Sequence, residues 1–428
     1  MTLPGARPAR RAALALGAGA VLGALTGAPR AFAATGAPTP VPAAPASYDT
    51  TVLAWYDATA VTLAAAGAPT QVTNSRTWAI GWLAAARATR VVPGGITDPG
   101  AFRAAALASA VHRALVTLVP SRTEPLDATL ADTLAAIPAG PAKDLGTAAG
   151  RREAGLVLDS RQGDGLDPAS VNAPYPVPAP EPGRWQPTPP DHLPAVQYGN
   201  RLARPFLLTS PSHFRLGPPP ALDTRRYAAD LAEVRAYGAL HSTVRSAHQT
   251  QTATFWYGSS LTLYIEPLRV ALSRSGHGTA EQALSVALFH VALVDTQIAT
   301  SDSKYAHERW RPVTAIRTGA IDPDPAWTPL HTTPAHPDHP SGHNTYAGAA
   351  ETVLTERFGA RTGPFPLTSP TAPGVTRTYT TWKQLSDDNV EARILSGIHT
   401  RYADEAGIRL GRRVARHALD QAAELLTR

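Results

Sequence analysis

The sequence predicts an all-α fold of two helical bundles joined by a proline-rich wrapping segment, and three observations predict it. Apolar residues recur at three and four positions through both halves of the chain. No strand-like alternation of useful length and no repeat of fixed period interrupts them. Prolines crowd one internal stretch, 172–222, too densely for helix or central strand. A chain of 428 residues with only 17% charged residues can hold two modest cores and does not have the composition of a disordered polymer.

Residues 1–33 carry Arg7, Arg10, Arg11 and Arg30 and no acidic residue, around an apolar run over 12–25 that leads to Ala31-Phe32-Ala33. This is the pattern of a cleavable export signal, its apolar run shorter than the ~20 residues of a membrane span. The Arg10-Arg11 pair points to the twin-arginine route, and hence to a secreted, extracellular protein. Removing those four arginines takes the formal charge from +6 to +2, so nucleic acid is not an expected partner. With no cysteine, disulfides, zinc-thiolate sites and a cysteine nucleophile are excluded. Residues 34–48, mostly Ala, Pro, Thr and Gly, read as a solvated linker. No apolar run of ~20 residues is read after it, so no membrane span is expected in the mature chain.

Residues 49–171 are expected to form the N-terminal bundle, from helical patterns over 52–66, 77–88, 99–118, 125–137 and 141–158. The segment 172–222 should wrap the surface. Residues 223–428 should form the C-terminal bundle, from patterns over 224–246, 249–273, 279–305, 344–358 and 388–426.

Chemistry concentrates in three stretches of the second half. Lys304 and Arg311 lie seven apart, so on a continuous helix both point one way; Pro312 disfavours helix at Arg311 and puts its guanidinium at a helix-to-loop junction. Next, Pro340-Ser341-Gly342-His343 reads as a helix start. Pro340 breaks the chain, Ser341 can cap, Gly342 lets an anion approach the free N–H groups of the first turn, and His343 can exchange a proton with it. Last, Arg393 and His399 would face different sides of an unbroken helix, but Ser396-Gly397 offers a break that reunites them. Taken singly, these are a solvated basic face, a capping serine with surface histidines, and an Arg and a His beside a turn. A zinc site from His331, His336, His339 and His343 is a competing reading, although a proline-broken loop spaces them irregularly. The ordered triple supplies three cations, a helix-end nest and two histidines, the inventory that a tetrahedral oxyanion needs. Positive neighbours should also keep His399 neutral.

In this order and spacing the three motifs resemble the vanadium-dependent haloperoxidase family, which shares its anion site with the type 2 phosphatidic acid phosphatase and bacterial acid phosphatase superfamily. The likeness is strongest from about residue 284 to residue 410, and Pro182-Gly183-Arg184-Trp185 resembles the longer soluble bacterial members. The resemblance implies an all-α fold with two bundles and vanadate as prosthetic group, phosphate being a competing occupant. It implies that Lys304, Arg311, Ser341, Gly342 and Arg393 bind vanadate oxygens, that His399 ligates the vanadium, and that His343 is the acid-base. The partners implied are hydrogen peroxide, a halide and a small organic acceptor. The alternative within the superfamily is an exported acid phosphatase in which His399 attacks phosphorus and His343 protonates the leaving group.

The chain departs from the family pattern in three places. Ser301 and His336 stand where many relatives carry aromatic residues; His336 resembles the histidine of bromide-type members and points to bromide or iodide. Ala403 stands where relatives have Asp, with Asp404 one residue later. Either the orienting carboxylate is lost or a shifted turn supplies it.

Overall fold

A computed structural model describes residue 48 and residues 50–427; the export signal and all of the linker except Tyr48 lie outside the described residues. The first half follows the expected order: α1 (Thr50–Ala66), α2 (Gln71–Arg90), α3 (Pro99–Leu118), α4 (Thr123–Ala135) and α5 (Pro141–Ser160). Local chemistry sets these starts. Asp98 accepts from the Ala101 N–H at 2.9 Å ahead of Pro99, and Pro141 opens α5 in the same position.

One turn of helix, α6 (Pro168–Val171), ends just before the proline-rich segment, which itself carries a 3-10 turn at Tyr198–Leu202 and is otherwise irregular. It straps the far half of the chain. The Trp185 N–H donates to the Glu308 carbonyl and the Trp310 N–H to that of Gly183, while the Val196 N–H reaches Ala335.

Beyond it lie α7 (Arg225–Tyr237), α8 (Ala247–Phe255), α9 (Ser260–Arg274), α10 (Thr279–His307), α11 (Pro312–Thr318) and α12 (Gly342–Phe358). A hairpin of β1 (Arg361–Thr368) and β2 (Thr376–Thr381) follows, then α13 (Trp382–Leu395), α14 (Arg401–Asp420) and α15 (Ala422–Leu425). Four sequence expectations need correction here. The hairpin was not foreseen, because Pro364 and Pro366 sit inside β1, whose outer edge is unpaired in this two-stranded sheet. The pattern over 224–246 stops at Gly238, where a Cβ would lie 2.5 Å from the Gly397 Cα. The pattern over 249–273 breaks between Phe255 and Ser260.

The fourth correction concerns a long apolar run that the sequence reading did not register. α10 is long and apolar enough to cross a bilayer, but 89% of its most apolar stretch is buried inside the protein. Val286, Leu288, Leu293 and Val294 on α10 are fully buried and pack with Trp78 and Trp82 of α2, so the two halves share one hydrophobic core. Each such aliphatic side chain stabilises the fold by about 1.5–3 kcal/mol. Glycines bring α12 and α14 together: a Cβ on Gly411 would lie 2.0 Å from the Thr345 carbonyl oxygen, and one on Gly348 2.4 Å from that of Ile408. This close crossing sets the start of α12 against the start of α14.

Candidate active site

The last turn of α10 presents Lys304, and the helix ends sooner than Pro312 alone suggests. Glu308 adopts the left-handed conformation at φ 49° and its N–H closes onto the Lys304 carbonyl at 2.8 Å. Arg311 then stands at the N-cap of α11, extended (φ −83°, ψ 156°) as a residue before proline must be. The two cations therefore do not share a helix, yet they converge on one loop. Lys304 Nζ donates to the Pro337 and Asp338 carbonyls at 2.5 and 3.2 Å. Arg311 donates from Nε to the His336 carbonyl at 2.6 Å, from Nη1 to that of Ile398 at 2.6 Å, and from Nη2 to His336 Nδ1 at 3.0 Å.

Ser341 is the N-cap of α12 by backbone conformation, but its hydroxyl makes no capping bond. Its N–H donates to the Ala403 carbonyl at 2.9 Å, which ties the start of α12 to α14. Its hydroxyl instead faces Asn344 and Asp404. A Cβ on Gly342 would meet nothing within 4 Å, so open space adjoins the first N–H groups of α12. His343 Nε2 lies 2.9 Å from the Gly258 carbonyl, which can only accept, so that nitrogen carries the proton and Nδ1 the lone pair.

Ser396-Gly397 does break the chain as expected. Gly397 has φ +77°, and a Cβ there would lie 2.4 Å from the Gly238 carbonyl oxygen. The break turns His399 inward to meet Arg311. Arg393, 1% exposed, donates from Nη1 to the Trp256 carbonyl at 3.3 Å, lies over the Tyr257 ring, and has an Nε with no protein partner.

His399 Nδ1 lies 2.6 Å from Asp338 Oδ1, and Asp338 Oδ2 accepts from the Thr400 hydroxyl at 2.8 Å. Arg311 Nη1 is 3.0 Å from His399 Nε2 and 3.4 Å from Nδ1. A donor aligned with the Nε2 lone pair would stand much further from Nδ1. The guanidinium nitrogen therefore lies over the ring face and not along the Nε2 lone pair.

Three buried cations and two buried carboxylates share this space, and each shifts the others. Burial first, then Arg311, holds Lys304 well below the usual ammonium range. Burial lowers Arg311 and Arg393 to about 10, still charged at neutral pH. His399 is held well below the usual imidazole range by burial, with Arg311, Lys304 and Arg393 adding to it; desolvation outweighs the charge effect expected from sequence. His343 is lowered by burial and then by Arg393. Asp404 is raised well above the carboxylate range by burial. With buried positive charge in excess, an unpartnered Arg393 Nε and open space at a helix N-terminus, the residues present fit a tetrahedral oxyanion.

Sequence reasoning missed Asp338, which lies between His336 and His339 of the zinc reading, and did not settle Asp404. The latter accepts from Asn344 Nδ2 at 2.7 Å and does not contact His399. The four histidines of the zinc reading turn to separate partners: His331 to Ser396, His336 to Arg311, His339 to the Gly217 carbonyl and His343 to that of Gly258. Ser301 is buried on α10 with its hydroxyl unpartnered.

Comparison with known proteins gives a consistent result. The family model for the VCPO second helical-bundle domain matches residues 284–428. The vanadium chloroperoxidase of Curvularia inaequalis is 29% identical over 229 residues; the match takes in 45% of this chain and 34% of that protein, so the chain spans about a third of its relative's length. Among solved structures, a bacterial vanadium-dependent iodoperoxidase aligns with TM-score 0.72 at 24% identity, covering 88% of this chain and 97% of the other. An apo-type bacterial vanadium-dependent chloroperoxidase aligns with TM-score 0.67 at 17% identity, covering 84% and 95%. At these identities the two structures establish the shared helical fold. Residues 284–428 thus match the VCPO second helical-bundle domain, and the chain as a whole shares the helical fold of the bacterial vanadium-dependent haloperoxidases.

Proposed function

We propose that this chain is an exported haloperoxidase that uses hydrogen peroxide to oxidise bromide or iodide at vanadate bound by Lys304, Arg311, Ser341, Gly342, Arg393 and His399. The observation that carries the reading is the meeting of three buried cations, one with a free donor, beside a neutral His399 whose Nε2 lone pair Arg311 does not take. Bound vanadate supplies the Lewis-acid centre at which peroxide is activated for oxygen transfer to halide. Halide, peroxide and one proton become hypohalous acid and water, and the hypohalous acid then halogenates a small organic acceptor.

The chain's own residues do the rest. Lys304, Arg311 and Arg393 offset the anion's charge in a water-poor site, where preorganised charges act most strongly. Ser341 and the Gly342 N–H offer hydrogen bonds at the start of α12. His343, neutral and tied through Nε2–H to Gly258, has Nδ1 free to take up and return the proton that the stoichiometry requires. His399 Nε2 would be the ligand to vanadium. His336, held by Arg311, and the small Ser301 stand where chloride-type pockets carry aromatic rings, which supports bromide or iodide. The arginine-rich leader supports export by the twin-arginine route.

The test is peroxide-dependent bromination of a dimedone reporter by orthovanadate-loaded protein, run beside phosphate-monoester hydrolysis without vanadate. Bromination that disappears in His399→Ala is the expected result. Vanadate-inhibited hydrolysis with no bromination would replace this reading with that of a phosphatase built on the same residues.

A further inference from the structure

We propose that Asp338 is the positioning residue of this site, and that by fixing His399 with its proton on Nδ1 it gives the site its preference for vanadate over phosphate. The inference rests on the reading that His399 ligates vanadium.

Asp338 and His399 are each 1% exposed. Both the carboxylate and the backbone of Asp338 are held. Oδ1 faces His399 Nδ1 at 2.6 Å, Oδ2 takes the Thr400 hydroxyl at 2.8 Å, the Asp338 N–H donates to the Arg309 carbonyl at 2.9 Å, and the Asp338 carbonyl accepts from Lys304 at 3.2 Å. Rotation away from His399 would break the Thr400 bond as well. A ring nitrogen this close to a carboxylate oxygen carries the hydrogen, and a neutral imidazole then has its lone pair on Nε2. Arg311, stacked over the ring, adds positive charge that disfavours a second proton without blocking the in-plane direction at Nε2.

Histidines that bind metals commonly donate their second N–H to a carboxylate, which sets the tautomer and raises the basicity of the ligating nitrogen. Here that partner comes from the loop ahead of α12, not from the α14 position where the family pattern places an acid. The consequence differs between the two competing anions. His399 would give its Nε2 lone pair to vanadium, whereas phosphate at rest would be held by charge and hydrogen bonds from Lys304, Arg311, Arg393 and α12. Asp338 therefore strengthens one anion and not the other.

Asp338→Asn is nearly isosteric, and its amide turned toward Nδ1 would force the proton to Nε2 and occupy the ligating lone pair. Vanadate and phosphate dissociation constants are measured by equilibrium dialysis on wild type and variant, together with long-range nitrogen-15 spectra of the imidazoles, His399 being identified from a His399→Gln difference spectrum. The expected result is a vanadate affinity lower by about 10–100-fold, a phosphate affinity that stays at the wild-type value, and an Nδ1–H pattern for His399 in the wild type. Parallel loss of both anions, unchanged vanadate affinity, or an Nε2–H pattern in the wild type overturns the proposal, and the last of these needs no variant. Should Asp338→Asn fail to fold, Thr400→Val removes the second anchor while keeping the carboxylate, and must lower vanadate affinity selectively. A wild type that binds phosphate but no vanadate would overturn the haloperoxidase reading itself, and this inference with it.

Discussion

Replacing Arg393 by Met separates anion binding from folding. Arg311 spends its donors on the His336 and Ile398 carbonyls and on two imidazoles. Arg393 is as deeply buried but, among the described residues, makes one protein hydrogen bond, the 3.3 Å contact to Trp256, and its Nε is unpartnered. Met keeps the length of the side chain and removes the charge and every donor. Two charge-assisted bonds to the anion at about 1.5–3 kcal/mol each give a loss of about 3–6 kcal/mol. At about 1.4 kcal/mol per tenfold, that is about a 10²–10⁴-fold rise in the vanadate dissociation constant. The anion-free protein should behave oppositely. It loses one long hydrogen bond and an under-satisfied buried charge that adds to the repulsion at Lys304 and Arg311, so its stability should hold or rise. Equilibrium dialysis against orthovanadate reads the first effect, and guanidinium unfolding in vanadate- and phosphate-free buffer reads the second. An affinity kept within about tenfold, or a destabilisation of the anion-free protein above about 3 kcal/mol, would place Arg393 in the architecture and refute this assignment.

Three further outcomes are expected. His343→Ala should abolish turnover while vanadate affinity measured by dialysis stays near wild type, because the side chain contributes a proton route and no ligand. Acid should destabilise the fold: burial lowers His290 and His339 to about 3, so between about pH 6.5 and pH 3 only the unfolded chain protonates them, and stability measured by denaturant titration falls as pH drops through that window. Within that trend, His290→Leu should flatten the slope and raise stability, since neither ring nitrogen has a partner where the ring stacks on Trp78 at 4.6 Å. Gly411→Ala puts a methyl 2.0 Å from the Thr345 carbonyl oxygen and should cost about 1–3 kcal/mol or more by thermal unfolding, with vanadate affinity falling too because α12 is pushed off α14.

The helices and the oxyanion residues were legible because each announces itself locally. A 3.6-residue apolar period, Pro340 before a small residue, and Pro312 after Arg311 act within a few positions. What was not legible depends on contacts far apart in the chain. α10 stops at His307 because Glu308 can turn left-handed and take Trp185 onto its carbonyl, from a segment more than a hundred residues earlier. Helical periodicity ran through 239–246 and 396–400 because a pattern of apolar residues does not record Gly238 packing against Gly397.

The acidic residue after His399 shows most clearly how a motif can mislead. Read along the chain, Ala403 in place of Asp suggests that the histidine has lost its orienting acid, and Asp404 invites the idea of a shifted turn. On α14, however, one residue is a rotation of about 100°, and Asp404 duly faces Asn344 and Ser341 at the start of α12. The Ala403 backbone carbonyl holds the Ser341 N–H. The acid that reaches His399 is Asp338, 61 residues earlier, on a loop that Lys304 and Arg311 clamp through its carbonyls. A carboxylate missing from a motif position can be supplied in space by a second loop; the cations that would bind the anion also hold in place the carboxylate that aims His399.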